Sequence, residues 1–107
     1  MKNLTRREEQ ILLAIFHLKE EAYLIPIREM IKKYSGKYYS VGTIYAPLNK
    51  LHIEGYLESF LKKPRLPDRG KPIKYYKLTK KGFKALEQLK ELQAQMWEGF
   101  KTPIMGE

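Results

Sequence analysis

The chain has 107 residues, 43% of them hydrophobic and 31% charged, a composition that builds one small core and excludes both disorder and division into several independent cores. The absence of cysteine excludes a disulfide framework, a thiolate metal cluster and a thiol nucleophile, and fits a reducing compartment, so a cytoplasmic place is expected. Of the net charge of +9, the stretch Lys62 to Lys84 carries the whole: ten basic residues stand there against Asp68 alone, and the remaining 11 basic and 11 acidic residues cancel. Such a local field attracts a polyanion or merely solvates a surface, and its place in the fold has to decide between them.

Met1 to Thr5 lead directly into Arg6, Arg7, Glu8 and Glu9, without the apolar stretch of a signal peptide, and no later apolar run spans a bilayer. Neither export nor membrane insertion is expected. Thr5 followed by Glu8 is a capping-box spacing and predicts a first helix from there to about Lys19. Its core face is expected to hold Ile11, Leu12, Ile15, Phe16 and Leu18, with Arg6, Arg7 and Glu9 toward water. Tyr23, Leu24 and Ile25 read as a short extended segment, with Pro26 at the first position of a second helix. Ile27, Met30, Ile31 and Tyr34 line one side of that helix, and Gly36 offers a left-handed stop.

Ser40 is placed to cap a third helix, along which Val41, Ile44, Tyr45, Leu48, Leu51 and His52 recur at helical intervals until Gly55. Pro47 inside it predicts a kink or a loosened first turn between Gly42 and Pro47. Tyr56–Lys62 and Ile73–Leu78 read as strands joined by the proline-containing stretch Lys63–Pro72, a hairpin with a basic tip. Thr79 caps a last helix expected to reach about Lys101, with Phe83, Leu86, Leu89, Met96 and Phe100 along a seam that Leu92 and Trp97 widen. Thr102 to Glu107 form a tail expected to be mobile.

Helix, short strand, helix, helix, strand, strand is the order of a winged helix-turn-helix. The fold class is therefore mainly α with a small β-hairpin, residues 1–79 forming the DNA-binding domain, 80–101 a C-terminal dimerisation helix and 102–107 the tail. The basic stretch falls on the wing, which favours duplex DNA over a passive surface. Met96, Trp97 and Phe100 lie beyond the reach of so small a domain and call for a second copy, whose interface would comprise Phe83, Leu86, Leu89, Leu92, Met96, Trp97 and Phe100; folding back on their own domain is the alternative. His17 and His52 sit among apolar helical residues without a carboxylate or second histidine at useful spacing, and no phosphate-cradling glycine motif is present. No enzyme, metal site or cofactor is expected.

The run Ser40-Val41-Gly42-Thr43-Ile44-Tyr45-Ala46-Pro47-Leu48-Asn49-Lys50-Leu51, followed by Glu54-Gly55-Tyr56-Leu57, resembles the recognition helix of PadR-family transcriptional regulators. Arg69-Gly70-Lys71-Pro72, Tyr75-Tyr76, Leu78-Thr79 and Gly82 resemble that family's wing, and the likeness extends from about Leu12 to Leu89. Ile25-Pro26 departs from the family's usual Tyr-Gly pair, and a single C-terminal helix matches its short subgroup. The resemblance implies a repressor that blocks polymerase from an operator overlapping a promoter.

Candidate DNA contacts are Ser40, Gly42 and Thr43 at the start of the recognition helix, where Ser40 either caps or touches phosphate. Tyr45 either reaches a phosphate, as the resemblance implies, or is core with a wet tip. Lys37, Lys50, Lys71 and Lys74 are backbone candidates, each also readable as merely solvated, while Gly70 shapes the wing turn and Arg69 is a minor-groove candidate. Trp97, with Met96 and Phe100, is either dimer packing or an aromatic slot for a flat hydrophobic effector, as in multidrug-responsive relatives. The rival reading of the whole is a winged-helix module for protein or RNA contacts without operator specificity.

Overall fold

The computed structural model describes residues 3–63 and 70–103. The capping box is present: Glu8 N donates to Thr5 Oγ1 at 3.1 Å and Thr5 N to Glu8 Oε1 at 2.8 Å, starting α1 at Arg6–Leu18. A short 3-10 turn at Lys19–Glu21 leads to α2, Leu24–Ser35, which Gly36 ends in the left-handed conformation at φ 79°. Then come α3, Val41–Ile53, β1, Leu57–Lys62, β2, Ile73–Leu78, and α4, Lys80–Trp97. Helices α1, α2 and α3 enclose Ile11, Leu12, Ile15, Ile27, Ile31, Ile44, Leu48 and Leu51, and the hairpin closes this core with Leu57 and Tyr76.

The strands pair antiparallel from Leu57 opposite Leu78 to Lys62 opposite Ile73. The third, minimal strand of the wing is a single bridge between Tyr23 and Tyr75, with Tyr76 N donating to Ala22 O at 2.8 Å. The extended segment is thus shorter than its composition suggests. Leu24 and Ile25 are already helical, which puts Pro26 at the third rather than the first helical position. Proline is tolerated there because the first turn's amides have no intrahelical acceptor.

Several other expectations are corrected. Phe16 is exposed and meets the equally exposed Phe83 edge to face instead of entering the core. Tyr34 is 74% exposed. The third helix begins one residue after a regular cap, its first turn closed by Ile44 N donating to Ser40 O at 3.2 Å, and it is helical through Pro47 to Ile53. The loosened start is absent. His17 is exposed rather than set in the core, whereas His52 Nε2 lies 3.2 Å from Ser59 Oγ and ties α3 to β1. The last helix stops at Trp97, short of Lys101. The hairpin loop at 64–69, including Arg69, and the tail beyond Pro103 lie outside the described residues.

α4 is fastened to the end of α3. Thr79 accepts from Gly82 N at 3.1 Å while its hydroxyl donates to Gly55 O at 2.6 Å. Lys81 Nζ donates to Glu54 O at 2.7 Å over the ring of Tyr56. Gly82 is buried against the Tyr56 carbonyl, so close that a side chain there would collide with backbone. The near half of α4, through Ala85 and Leu86, packs on the core. Every residue from Glu91 to Phe100 is exposed.

Candidate nucleic-acid interface

The buried line of α3 is Ile44, Leu48 and Leu51. At 100° per residue, the positions opposite that line are Gly42, Ala46, Asn49 and Ile53, spaced by four, three and four residues. Gly42, Ala46 and Ile53 are exposed and Asn49 is half-buried, as an outward row of a helix lying on its own domain requires. The row carries no charge. Tyr45, 43% exposed, flanks it on one side, and its hydroxyl adds to the burial that pushes the Tyr76 phenol up to about 12.

Ser40 serves as the cap of α3, its Oγ accepting from Thr43 N at 3.2 Å. The Thr43 hydroxyl turns back toward it, 2.7 Å away, and Thr43 is half-buried rather than fully outward. Val41 and Gly42 keep backbone amides without an intrahelical acceptor, a pair of donors facing the direction from which a phosphate would come. An added Cβ at Gly42 would meet nothing within 4 Å. Nothing inside the protein requires glycine at this exposed helical position, where it costs about 0.5–1 kcal/mol relative to alanine.

Lys50, a candidate backbone contact, also has a partner within the protein. Its ammonium lies 3.4 Å from Glu8 Oε2, and Glu8 is almost fully buried at the start of α1. A buried carboxylate without a cation would be costly, so this lysine is held to α1. Lys62 is likewise engaged, donating to Glu20 O at 3.1 Å over the ring of Tyr75. Lys37, in the α2–α3 link, and Gly70, Lys71 and Lys74, on the wing, are all exposed. Among the described candidates, these wing and link lysines are the cations left to meet a backbone.

Two arginines outside the candidate contacts hold the approach to α3. Arg28 on α2 donates from Nε to Tyr39 O at 2.6 Å and lies over the Tyr38 ring at 4.1 Å. Arg7 on α1 lies over the Tyr39 ring at 4.2 Å and, by hydrogen bonding to it, holds the Tyr39 hydroxyl below its ordinary pKa. The link between α2 and α3 is therefore gripped from both preceding helices. The outward row is findable, since it follows from the apolar spacing of Ile44, Leu48 and Leu51; the arginine stacks are not, because they join residues 10 or more apart.

On α4, Leu86 packs against its own domain, while Phe83, Leu92, Met96 and Trp97, and Phe100 just beyond the helix, are each more than half exposed. Trp97 and Phe100 meet edge to face at 5.1 Å. A groove of about 540 Å³ runs between the start of α1 and α4, lined by Leu4, Glu9, Tyr56, Lys84, Leu89 and Leu92 among others. The described residues hold no cluster of acidic or histidine side chains fit for a metal. Within them no helix is long and apolar enough to cross a membrane.

Three helices, a bridge strand and a basic hairpin, with an outward-facing third helix, define a winged-helix DNA-binding protein. The sequence pattern of the transcriptional regulator PadR-like family matches residues 12–88, and the chain belongs to that family of regulators, which are not enzymes. A PadR-like transcription factor from Bacteroides fragilis is 31% identical with a TM-score of 0.70, covering 85% of this chain and 82% of its own. A PadR-like regulator from Bacillus cereus is also 31% identical with a TM-score of 0.70, over 83% and 82%. H. salinarum RosR is 25% identical with a TM-score of 0.71, over 94% and 83%. No curated protein matches the chain in sequence.

Proposed function

We propose that the chain acts as a homodimeric repressor on a palindromic operator in the cytoplasm, with residues 1–79 binding DNA and 80–101 joining the two copies. The observation that carries the dimer is the far half of α4 and the residues just after it, where Leu92, Met96, Trp97 and Phe100 are 54% to 75% exposed. A helix end with that much apolar surface is not stable alone in water, and covering it with the same helix of a second copy places two recognition helices about a two-fold axis. The groove between α1 and α4 is open to receive part of the partner. Gly42, Thr43 and Tyr45 approach the major groove, Lys37, Lys71 and Lys74 meet the backbone, Gly70 shapes the wing turn and Arg69 is the minor-groove contact. Trp97, Met96 and Phe100 at the dimer centre form a slot for a flat hydrophobic effector, whose binding shifts the two α4 helices and, through the Thr79 and Lys81 fastening, the spacing of the recognition helices.

The test is enrichment of a random duplex library by the purified protein at near-physiological salt, beside Lys71→Ala/Lys74→Ala. A two-fold symmetric sequence, bound at least tenfold more weakly by the variant, is the expected result. Enrichment of nothing would leave a basic module without operator specificity. For the effector, Trp97 fluorescence should show saturable quenching with planar cationic or phenolic compounds, and its absence at high concentration contradicts the slot.

A further inference from the structure

The outward row of α3 has a chemistry of its own. A guanine presents two acceptors in the major groove and is read by arginine or lysine, an adenine presents an acceptor beside a donor and is read by an amide, and a thymine presents a methyl group that takes an apolar contact. The row Gly42, Ala46, Asn49 and Ile53 offers no cation, and the lysine at its edge, Lys50, is turned to the buried Glu8. Asn49 makes no side-chain hydrogen bond to any described residue, so its donor and acceptor stay available together. Ala46 is one helical turn before it and exposed. Gly42, a further turn back, leaves the helix start free of any side chain that would hold it off the groove.

Resting on the DNA-binding reading above, we infer that Asn49 and Ala46 determine sequence specificity. The Asn49 amide pairs bidentately with the N6 and N7 edge of an adenine, and the Ala46 methyl lies against a neighbouring thymine methyl. Each half-site therefore carries an A·T pair facing Asn49. Tyr45 and the lysines set the register on the backbone without reading it.

The measurement uses the enriched duplex, with each adenine of one half-site replaced in turn by 7-deazaadenine, which keeps pairing but lacks the N7 acceptor. At one position the wild type is expected to lose about tenfold in affinity. Asn49→Ala is expected to lose a similar factor on the unmodified duplex and nothing further on the modified one, while its binding to random-sequence duplex and its salt slope stay unchanged. Asn49→Asp, of nearly the same shape, controls for folding and should lose more, because it can no longer donate and places a negative charge in the groove. Two independent, additive losses, or an enriched half-site with G·C at every position that Asn49→Ala disturbs, overturn the assignment while leaving the DNA-binding reading standing. No enriched duplex at all overturns both.

Discussion

An added Cβ at Gly42 would meet nothing within 4 Å, whereas at Gly82 it would run into the Tyr56 carbonyl oxygen and lie 3.2 Å from Leu78 Cδ2. The two glycines should therefore respond in opposite senses to alanine. Gly82→Ala forces α4 away from the end of α3 and is expected to lower stability by about 1–3 kcal/mol in denaturant unfolding. Gly42→Ala gains helix propensity, about 0.5–1 kcal/mol, yet should weaken specific DNA binding because the helix start no longer approaches as closely. A Gly42→Ala protein that binds as well as the wild type would remove Gly42 from the interface.

Tyr76 gives a residue-level prediction about pH. Its phenol is neutral in both folded and unfolded chains below about pH 10, its ordinary value, so it contributes no pH dependence there. Burial holds the folded-state value up at about 12, so from pH 10 upward the unfolded chain ionises first and stability is lost until the folded value is passed. Melting temperature should fall less steeply between pH 10 and 12 in Tyr76→Phe than in the wild type. Equal slopes would contradict this account of the buried phenol.

At the level of elements, the recognition helix is held from three sides: its leader by Arg28 and Arg7, its middle by Lys50 on Glu8, and its end by Thr79 and Lys81. Removing one grip should loosen one end. Arg28→Ala is expected to speed amide hydrogen exchange from Tyr38 to Ile44 without changing exchange at Ile11 to Ile15, and to weaken operator binding more than binding to random duplex. Unchanged exchange in the leader would show that the helix cap alone fixes it.

The same elements show what a sequence discloses. Thr5 with Glu8, Ser40, Gly36 and Thr79 mark their helix ends because caps are local events between residues three or four apart. The hairpin was legible from two β-rich runs around a proline-containing stretch, and their order carried the winged-helix reading. Phe16 and Tyr34 were misplaced because helical periodicity locates a face but not its edge, and both sit where α1 and α2 leave the core. Pro47 by itself predicts a disruption, but the packing of Ile44 and Leu48 in the core keeps the helix continuous through it. The ion pair of Lys50 with Glu8 is not legible, because nothing local links residues 42 positions apart.

On the scale of the molecule, the chain measures 63 × 32 × 21 Å with a radius of gyration of 16.6 Å, against about 13 Å for a compact domain of this length. The excess reflects α4, which extends as an arm whose residues from Glu91 onward are all exposed. In the proposed dimer that arm is covered, and Met96→Glu/Trp97→Glu should give a monomer by sedimentation with a melting temperature set by the winged-helix core alone. Such a monomer should retain salt-sensitive binding to random duplex and lose most of its preference for the operator, since only one half-site can be engaged at a time.

The most direct test of the whole account is the stoichiometry and footprint of the wild-type protein on the duplex it enriches. Two chains per duplex are predicted, protecting two inverted half-sites whose centres lie about one helical turn, or a multiple of it, apart. One chain per duplex with a single unsymmetric footprint would contradict the two-fold arrangement and, with it, the role given to α4.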